Sequence, residues 1–276
     1  MQSIIQGLTV IHLELQDAWP ETWKHSYGYD CWEVFGDNSL PGYSYAYASR
    51  RRHTLELIQS VAQPGATILD VAAAQGNFSL TLAEMDYNVT WNDLREDLIG
   101  YVQLKHERGS IKFAPGNVFD LDQSQKFDVV LITEIIEHVA HPDEFLKKIG
   151  ELVRPGGYVV LTTPNGGYFL NTLPKFSDCA NPAQYEENQF KPNSDGHIFL
   201  LHHDEIDSLA QTAGLNLLEK RLFTNPMTNG HLKTSVLLKV LPYSSVNAIE
   251  RFTSSFPLGM SKKINTGMAV LLQRPA

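Results

Sequence analysis

The sequence predicts an α/β fold: a seven-stranded, mostly parallel sheet with helices on both faces, plus an N-terminal cap and lid insertions. Three observations predict it. From Ala66 onward, seven short β-branched or apolar runs are interleaved with segments of helical apolar spacing, the pattern of a sheet covered on both faces. The 276 residues are 43% hydrophobic, enough to bury one large core. Three longer segments interrupt the alternation, and long connections in a compact domain tend to be functional or disordered.

The strand-like runs are Thr67 to Ala73, Asn88 to Asp93, Ile111 to Pro115, Phe127 to Ile132, Tyr158 to Thr163, Asn216 to Leu222 and Met268 to Gln273. Apolar residues recur at helical spacing over Asn77 to Met85, Arg95 to Glu107 and Pro142 to Leu152. Arg154-Pro155-Gly156-Gly157 ends the third helix and opens the next strand. A later helix, from about His203 to Ala213, stops at Gly214.

Residues 1–50 read as an aromatic-rich cap and residues 51–276 as one domain, with 165–197 a candidate lid and 226–266 an insertion before the last strand. Nine of the 28 aromatic residues fall between Trp19 and Tyr47. They either line a pocket for a ring or sugar or pin the segment onto the domain. The lid carries Tyr168, Phe169, Phe176, Tyr185 and Phe190, and the apolar Ile4 to Leu15 stretch is one through which two chains could pair, with the oligomeric state open.

A net charge of −9 speaks against a long nucleic-acid partner. Cys31 and Cys179 form no metal or disulfide pattern. No run of about 18 apolar residues and no charged-then-apolar leader occurs, so the expected location is the cytoplasm.

Ile68 to Ser79 reads as a strand, a turn of small residues (Ala72, Ala73, Ala74, Gly76) and a helix. Such a turn lets backbone approach a ligand at a helix N-terminus, so a nucleotide-like cofactor is expected there. Asp93 ends the next strand, 23 positions after Asp70, where a carboxylate accepts hydrogen bonds from both ribose hydroxyls. A dehydrogenase shares strand, loop and acid, but its G-x-G-x-x-G would need glycine where Ala72 and Ala74 stand.

These residues resemble the class I S-adenosylmethionine (SAM)-dependent methyltransferases, whose first motif reads hydrophobic-Asp-hydrophobic-Gly-x-Gly-x-Gly. Asp70 and Gly76 match, and alanines replace two glycines. The resemblance covers residues 50–165 and includes Phe127-Asp128-Val129-Val130 and Leu152 to Gly157. It implies a Rossmann-like fold, SAM as cofactor, Asp93 on the ribose hydroxyls, Asn117 and Val118 on the adenine, and Asp70, Ala72, Ala74, Gly76, Leu94 and Thr133 as further cofactor-binding residues. In the similar ubiquinone-pathway O-methyltransferases an arginine ahead of the first strand holds the SAM carboxylate. Arg52, 18 positions before Asp70, takes that place, although Arg50 to Arg52 also read as a solvated helix face.

After the fourth strand comes Thr133-Glu134-Ile135-Ile136-Glu137-His138-Val139. In a helical turn, positions 134, 137 and 138 share one face, so two carboxylates and an imidazole converge. Such a set could bind Mg²⁺, Mn²⁺ or Zn²⁺, or His138 could act as a base or simply pack. Glu-x-x-Glu-His resembles the ubiquinone-pathway O-methyltransferases and the small-RNA 2′-O-methyltransferases. The second resemblance implies His197 as a further metal ligand and matches Thr162-Thr163-Pro164-Asn165 to a family turn. The expected activity is methylation of a small-molecule or sugar hydroxyl, with Glu137 and His138 catalytic. The alternatives are an RNA 3′-terminal 2′-O-methyltransferase and a non-catalytic SAM-binding scaffold.

Overall fold

A computed structural model describes residues 11–36, 41–122, 124–189, 196–230, 232 and 234–276. Phe190 and the start of the Ile4 to Leu15 stretch lie outside them. Two helices, α1 (Glu21–Glu33) and α2 (Pro41–Val61), precede the sheet. Then follow β1 (Thr67–Val71), α3 (Asn77–Glu84), β2 (Asn88–Trp91), α4 (Leu98–Lys105), β3 (Ser110–Phe113), β4 (Phe127–Thr133), α5 (Pro142–Leu152) and β5 (Val153–Pro164). The chain closes with α6 (Glu205–Thr212), β6 (Asn216–Phe223), α7 (Ser235–Leu238), α8 (Tyr243–Ser254), α9 (Leu258–Ile264) and β7 (Gly267–Gln273).

The strand order is β3-β2-β1-β4-β5-β7-β6. β1 to β5 pair in parallel, and β7 runs antiparallel to both β5 and β6. The sheet is therefore seven-stranded and mostly parallel, with helices on both faces, as the alternation of runs predicts.

The central strands read as unbroken apolar runs because both faces are buried. In β4, Val130 and Ile132 pack with Leu146 and Ile149 of α5 and with Ile206 and Leu209 of α6. Val129 and Leu131 face the other way, into Leu57 and Ile58 of α2 and Phe78 and Leu82 of α3. That two-residue alternation is the strand's own period. Asp128, from the family-like run, fixes the outer end of the sheet: its Oδ2 accepts Thr67 N and Oγ1 at 2.8 Å each, and Arg154 pairs with its Oδ1.

The cap is helical, and α2 runs unbroken through the residue 50/51 boundary read from the sequence. Its first helix is pinned by aromatics. Trp23 Nε1 donates to Asp97 O at 2.8 Å, and Trp19 packs edge-on to Tyr101 of α4 at 5.8 Å. Gly100 leaves the room: a Cβ there would lie 2.5 Å from the Trp23 ring. Arg50 and Arg51 do not form a solvated face. Arg51 is buried, with Nη2 donating to Thr81 Oγ1 at 2.9 Å, because α2 lies against the sheet.

Beneath the cap sits a buried polar knot. Asp30 of α1 accepts from Asn77 Nδ2 at 2.8 Å, and from Tyr101 OH and Lys105 Nζ at 2.7 Å each. Lys105 also donates to Asn77 Oδ1 at 3.0 Å. Three helices, α1, α3 and α4, thus meet on one ion pair whose side chains are 1% and 0% exposed.

Candidate functional site

The turn between β1 and α3 is left-handed at alternate residues: Ala72, Ala74 and Gly76 have φ of 49°, 47° and 75°. An L side chain in that region costs about 1–2 kcal/mol, so the alanines adopt the glycine conformation under strain. The turn is held by β2. Ala73 N donates to Asn92 O at 2.8 Å, Ala74 N to Asp93 Oδ2 at 2.9 Å, and Trp91 Nε1 to Ala74 O at 3.1 Å. At position 76 no alanine fits, since a Cβ would stand 2.9 Å from both Val102 γ-methyls at φ +75°. Gly76→Ala is expected to lower stability by about 1–3 kcal/mol. Chemical denaturation checks this, and an unchanged midpoint would contradict it.

Asp70 lies under the turn, 1% exposed, with Oδ2 accepting from Ser79 Oγ at 2.6 Å. Its Oδ1 is buried without a partner among the described residues. Burial pushes its pKa up to about 7. A carboxylate raised in the folded state stabilises fully below its unfolded pKa of about 3.9, and that contribution is lost as pH rises through the folded value. Stability is expected to fall between roughly pH 4 and pH 7. Asp70→Asn keeps an acceptor for Ser79 and is expected to flatten that fall, read from urea midpoints across the range. Glu33, which burial likewise raises to about 7, leaves a residual slope.

Asp93 ends up where the loop needs it, 3% exposed. Besides Ala74 N, its carboxylate accepts Arg95 N and Nε at 2.9 Å and Nη2 at 3.1 Å. Leu94 beside it is 61% exposed. Asn92 Nδ2 donates to Ala114 O and Gly116 O, bringing the turn after β3 alongside. There Asn117 Oδ1 accepts Phe119 N at 3.0 Å, and Val118 is buried. Asp70, Ala72, Ala74, Gly76, Asp93, Leu94, Asn117 and Val118 thus belong to one edge of the sheet.

Arg52 does not join them. Its guanidinium lies 3.4 Å from His53 Nε2, and its charge acts on Glu250 of α8. Arg50 reaches the site instead, with Nη1 3.2 Å from Glu134 Oε2 and Nη2 3.3 Å from Glu33 Oε1. Burial opposes its charge, but Glu134 and then Glu33 raise its pKa. Glu33 also accepts Gln75 Nε2 at 3.0 Å, tying α1 to the turn between β1 and α3. Sequence reasoning missed Glu33, Gln75 and Arg50. The one signal among them was Glu33, an acid set within the aromatic stretch Trp19 to Tyr47.

The segment after β4 is not a continuing α-helical turn. Thr133 is the last β4 residue and Glu134 has φ 55°, which sends its side chain toward Arg50. A 3-10 turn over Ile136–His138 then brings Glu137 and His138 round. Ligand atoms of Glu137, His138 and His197 lie within 4.8 Å of one another, a set that does not include Glu134. The two imidazoles meet edge to face with centroids 4.8 Å apart. Ile198 N donates to Glu137 O at 2.7 Å, which seats His197.

Glu137 is fully buried. Its Oε2 accepts Thr163 Oγ1 at 3.1 Å, and Oε1 has no partner among the described residues. Burial, then the Glu134 charge, pushes its pKa well above the ordinary carboxylate range. Thr163 belongs to the Thr162-Thr163-Pro164-Asn165 turn. Asn165 there donates to Lys262 O and Asn265 O, holding α9. Glu205 is a structural acceptor, taking Ser177 N and His202 N at 2.7 Å each. His197 also lines a pocket of about 380 Å³ with Leu173, Pro174, Tyr185, Asn188, Gly196 and Ile198.

The strand order and a ligand-ready turn faced by Asp93 define a class I methyltransferase fold with a helical cap. A family profile for a methyltransferase domain matches residues 44–220, and the chain belongs to that family. The chain is 31% identical over 157 residues to a ubiquinone biosynthesis O-methyltransferase of Hydrogenovibrio crunogenus, covering 55% of this chain and 63% of that one. A protein of the same name from Xanthomonas campestris is 34% identical over 161 residues, covering 57% and 65%. The match thus spans just under two thirds of either relative. A chain of the complex between the Haloferax volcanii Trm112 methyltransferase activator and its candidate methyltransferase superposes with a TM-score of 0.55. It is 14% identical over 95% of this chain and 100% of that one, a likeness of fold.

Proposed function

We propose that this chain transfers the methyl group of S-adenosylmethionine to a hydroxyl oxygen of a small molecule or sugar. The observation that carries the reading is that His197 belongs both to the Glu137-His138-His197 set and to the 380 Å³ pocket. A volume of that size suits a small acceptor, and the pocket's rings and aliphatic side chains would hold its apolar part. The O-methyltransferase relatives support oxygen as the methylated atom.

SAM brings a sulfonium whose methyl is already electrophilic, so the protein's work is placement and proton handling. The turn at Ala72 to Gly76 and the Asp93 carboxylate would hold the nucleoside, with Leu94, Asn117 and Val118 around the adenine. Arg95 occupies both oxygens of Asp93, so the ribose hydroxyls share or displace it. Arg50 and Thr133 would face the amino-acid end. His138 would take the acceptor's proton, with Glu137 and His197 beside it.

A divalent cation fits the same three residues, because the unpartnered Glu137 Oε1 is a buried oxygen that a cation would satisfy. Such an ion would lower the acceptor hydroxyl's pKa. The set also keeps the terminal 2′-hydroxyl of RNA as an alternative acceptor, which methyl incorporation into RNA 3′ ends tests.

Calorimetric titration with SAM, on wild type and Asp93→Ala, tests the reading. Wild type is expected to bind, and the variant roughly tenfold or more weakly, the loss of charge-assisted hydrogen bonds. No binding by wild type would overturn the reading. Titration with Mn²⁺ or Zn²⁺ on wild type and His197→Ala tests the cation. Equal uptake by both would remove it.

A further inference from the structure

Glu33 is the last residue of α1, the helix end at which the dipole disfavours a carboxylate. It is 7% exposed, and burial pushes its pKa up to about 7. The fold gains little from an acid there, and groups held against their own solvation cluster at functional sites.

Three side chains meet that carboxylate. Gln75 Nε2 donates to Oε2 at 3.0 Å, Arg50 Nη2 to Oε1 at 3.3 Å and Tyr43 OH to Oε1 at 3.4 Å. Gln75 stands inside the left-handed turn, between Ala74 at φ 47° and Gly76 at φ 75°. Arg50 carries the contact across the site, since its Nη1 lies 3.2 Å from Oε2 of Glu134, the residue after β4. The turn after β1 and the turn after β4 are thus joined through one carboxylate of α1 and one guanidinium of α2.

An arginine held by a single acid can swing about that contact, whereas an acid on each terminal nitrogen fixes the guanidinium plane. The Tyr47 ring, 5.1 Å from Arg50 Cζ, closes a further direction. A guanidinium has five N–H donors, and Glu33 and Glu134 engage Nη2 and Nη1. Arg50 Nε is buried with no partner among the described residues, so donors remain for a further anion.

We infer that Glu33, held by Gln75, is a positioning residue for the methyl-transfer site: it fixes the Arg50 guanidinium where the amino-acid end of SAM would meet it. The inference rests on the reading of this sheet edge as the SAM site. Glu33 acts through Arg50 and needs no contact with the cofactor itself.

Calorimetric titration near pH 8, about one unit above the Glu33 pKa of about 7, tests this with two ligands. One is SAM and the other is 5′-methylthioadenosine, which keeps the nucleoside and lacks the amino-acid end. Glu33→Gln removes the charge, and its one amide oxygen replaces two carboxylate acceptors. It is expected to bind SAM roughly tenfold more weakly than wild type does, and methylthioadenosine equally well. Gln75→Ala leaves the charge in place but loosens it, so a loss of roughly threefold for SAM alone is expected. Should the melting curve show Glu33→Gln to be unfolded, Gln75→Ala decides. A purely structural role would weaken both ligands alike, and that result overturns the inference. So does Glu33→Gln binding SAM as wild type does, and tighter binding would show that Glu33 competes with the cofactor for Arg50. Absence of SAM binding by wild type would overturn the reading of the site, and the inference with it.

Discussion

Replacing Lys105 with methionine is expected to cost about 3–5 kcal/mol, because it leaves the buried Asp30 without its cationic partner. That is a large share of a typical folding free energy of about 5–15 kcal/mol, and the melting temperature should drop on the order of 10 °C. The loss does not measure the worth of the pair. Burying both ions has its own desolvation cost, which already lowers the Lys105 pKa, so removing both charges should hurt less than removing one. Asp30→Asn/Lys105→Met is therefore expected to recover part of the loss, with the new side-chain amide still able to meet Asn77 and Tyr101. Thermal melts of the three proteins decide this. A double variant no more stable than Lys105→Met alone would mean that the loss comes from removing the pair itself and not from leaving Asp30 uncompensated.

Methyl transfer by His138→Ala is expected to fall about 10²–10⁴-fold in kcat, the usual contribution of a positioned acid or base. SAM affinity should stay near that of wild type, since His138 meets His197 and Glu137 rather than the turn at Ala72 to Gly76. The split between kcat and SAM binding separates a chemical role from a packing one, because collapse of the Ile136–His138 turn would disturb both. Release of S-adenosylhomocysteine with an accepted hydroxyl compound provides the readout. Full turnover would exclude His138 as base and as metal ligand, and would leave methyl transfer to placement alone.

The sequence by itself determined the sheet and one half of the site. Strands buried on both faces must be apolar throughout, so Phe127 to Ile132 and Met268 to Gln273 were legible without partners. The small-residue turn, Gly76 and the approach of Asp93 to it were legible too, because a tight turn at a strand end is a local device. Tertiary structure decided the rest, wherever a residue's meaning depends on a distant partner or on helix phase. Arg50 and Arg52 differ by about 200° around a helix, so only the packing of α2 could show that Arg50 faces Glu134 and Arg52 faces His53. Glu134 left its expected place beside Glu137 because a positive φ turns the backbone there, a strain that composition does not reveal. Asp30 and Lys105 are 75 positions apart, and no local pattern makes either one a buried ion. Local periodicity fixes which face of an element is apolar; which charges meet beneath the cap is settled only when the elements pack.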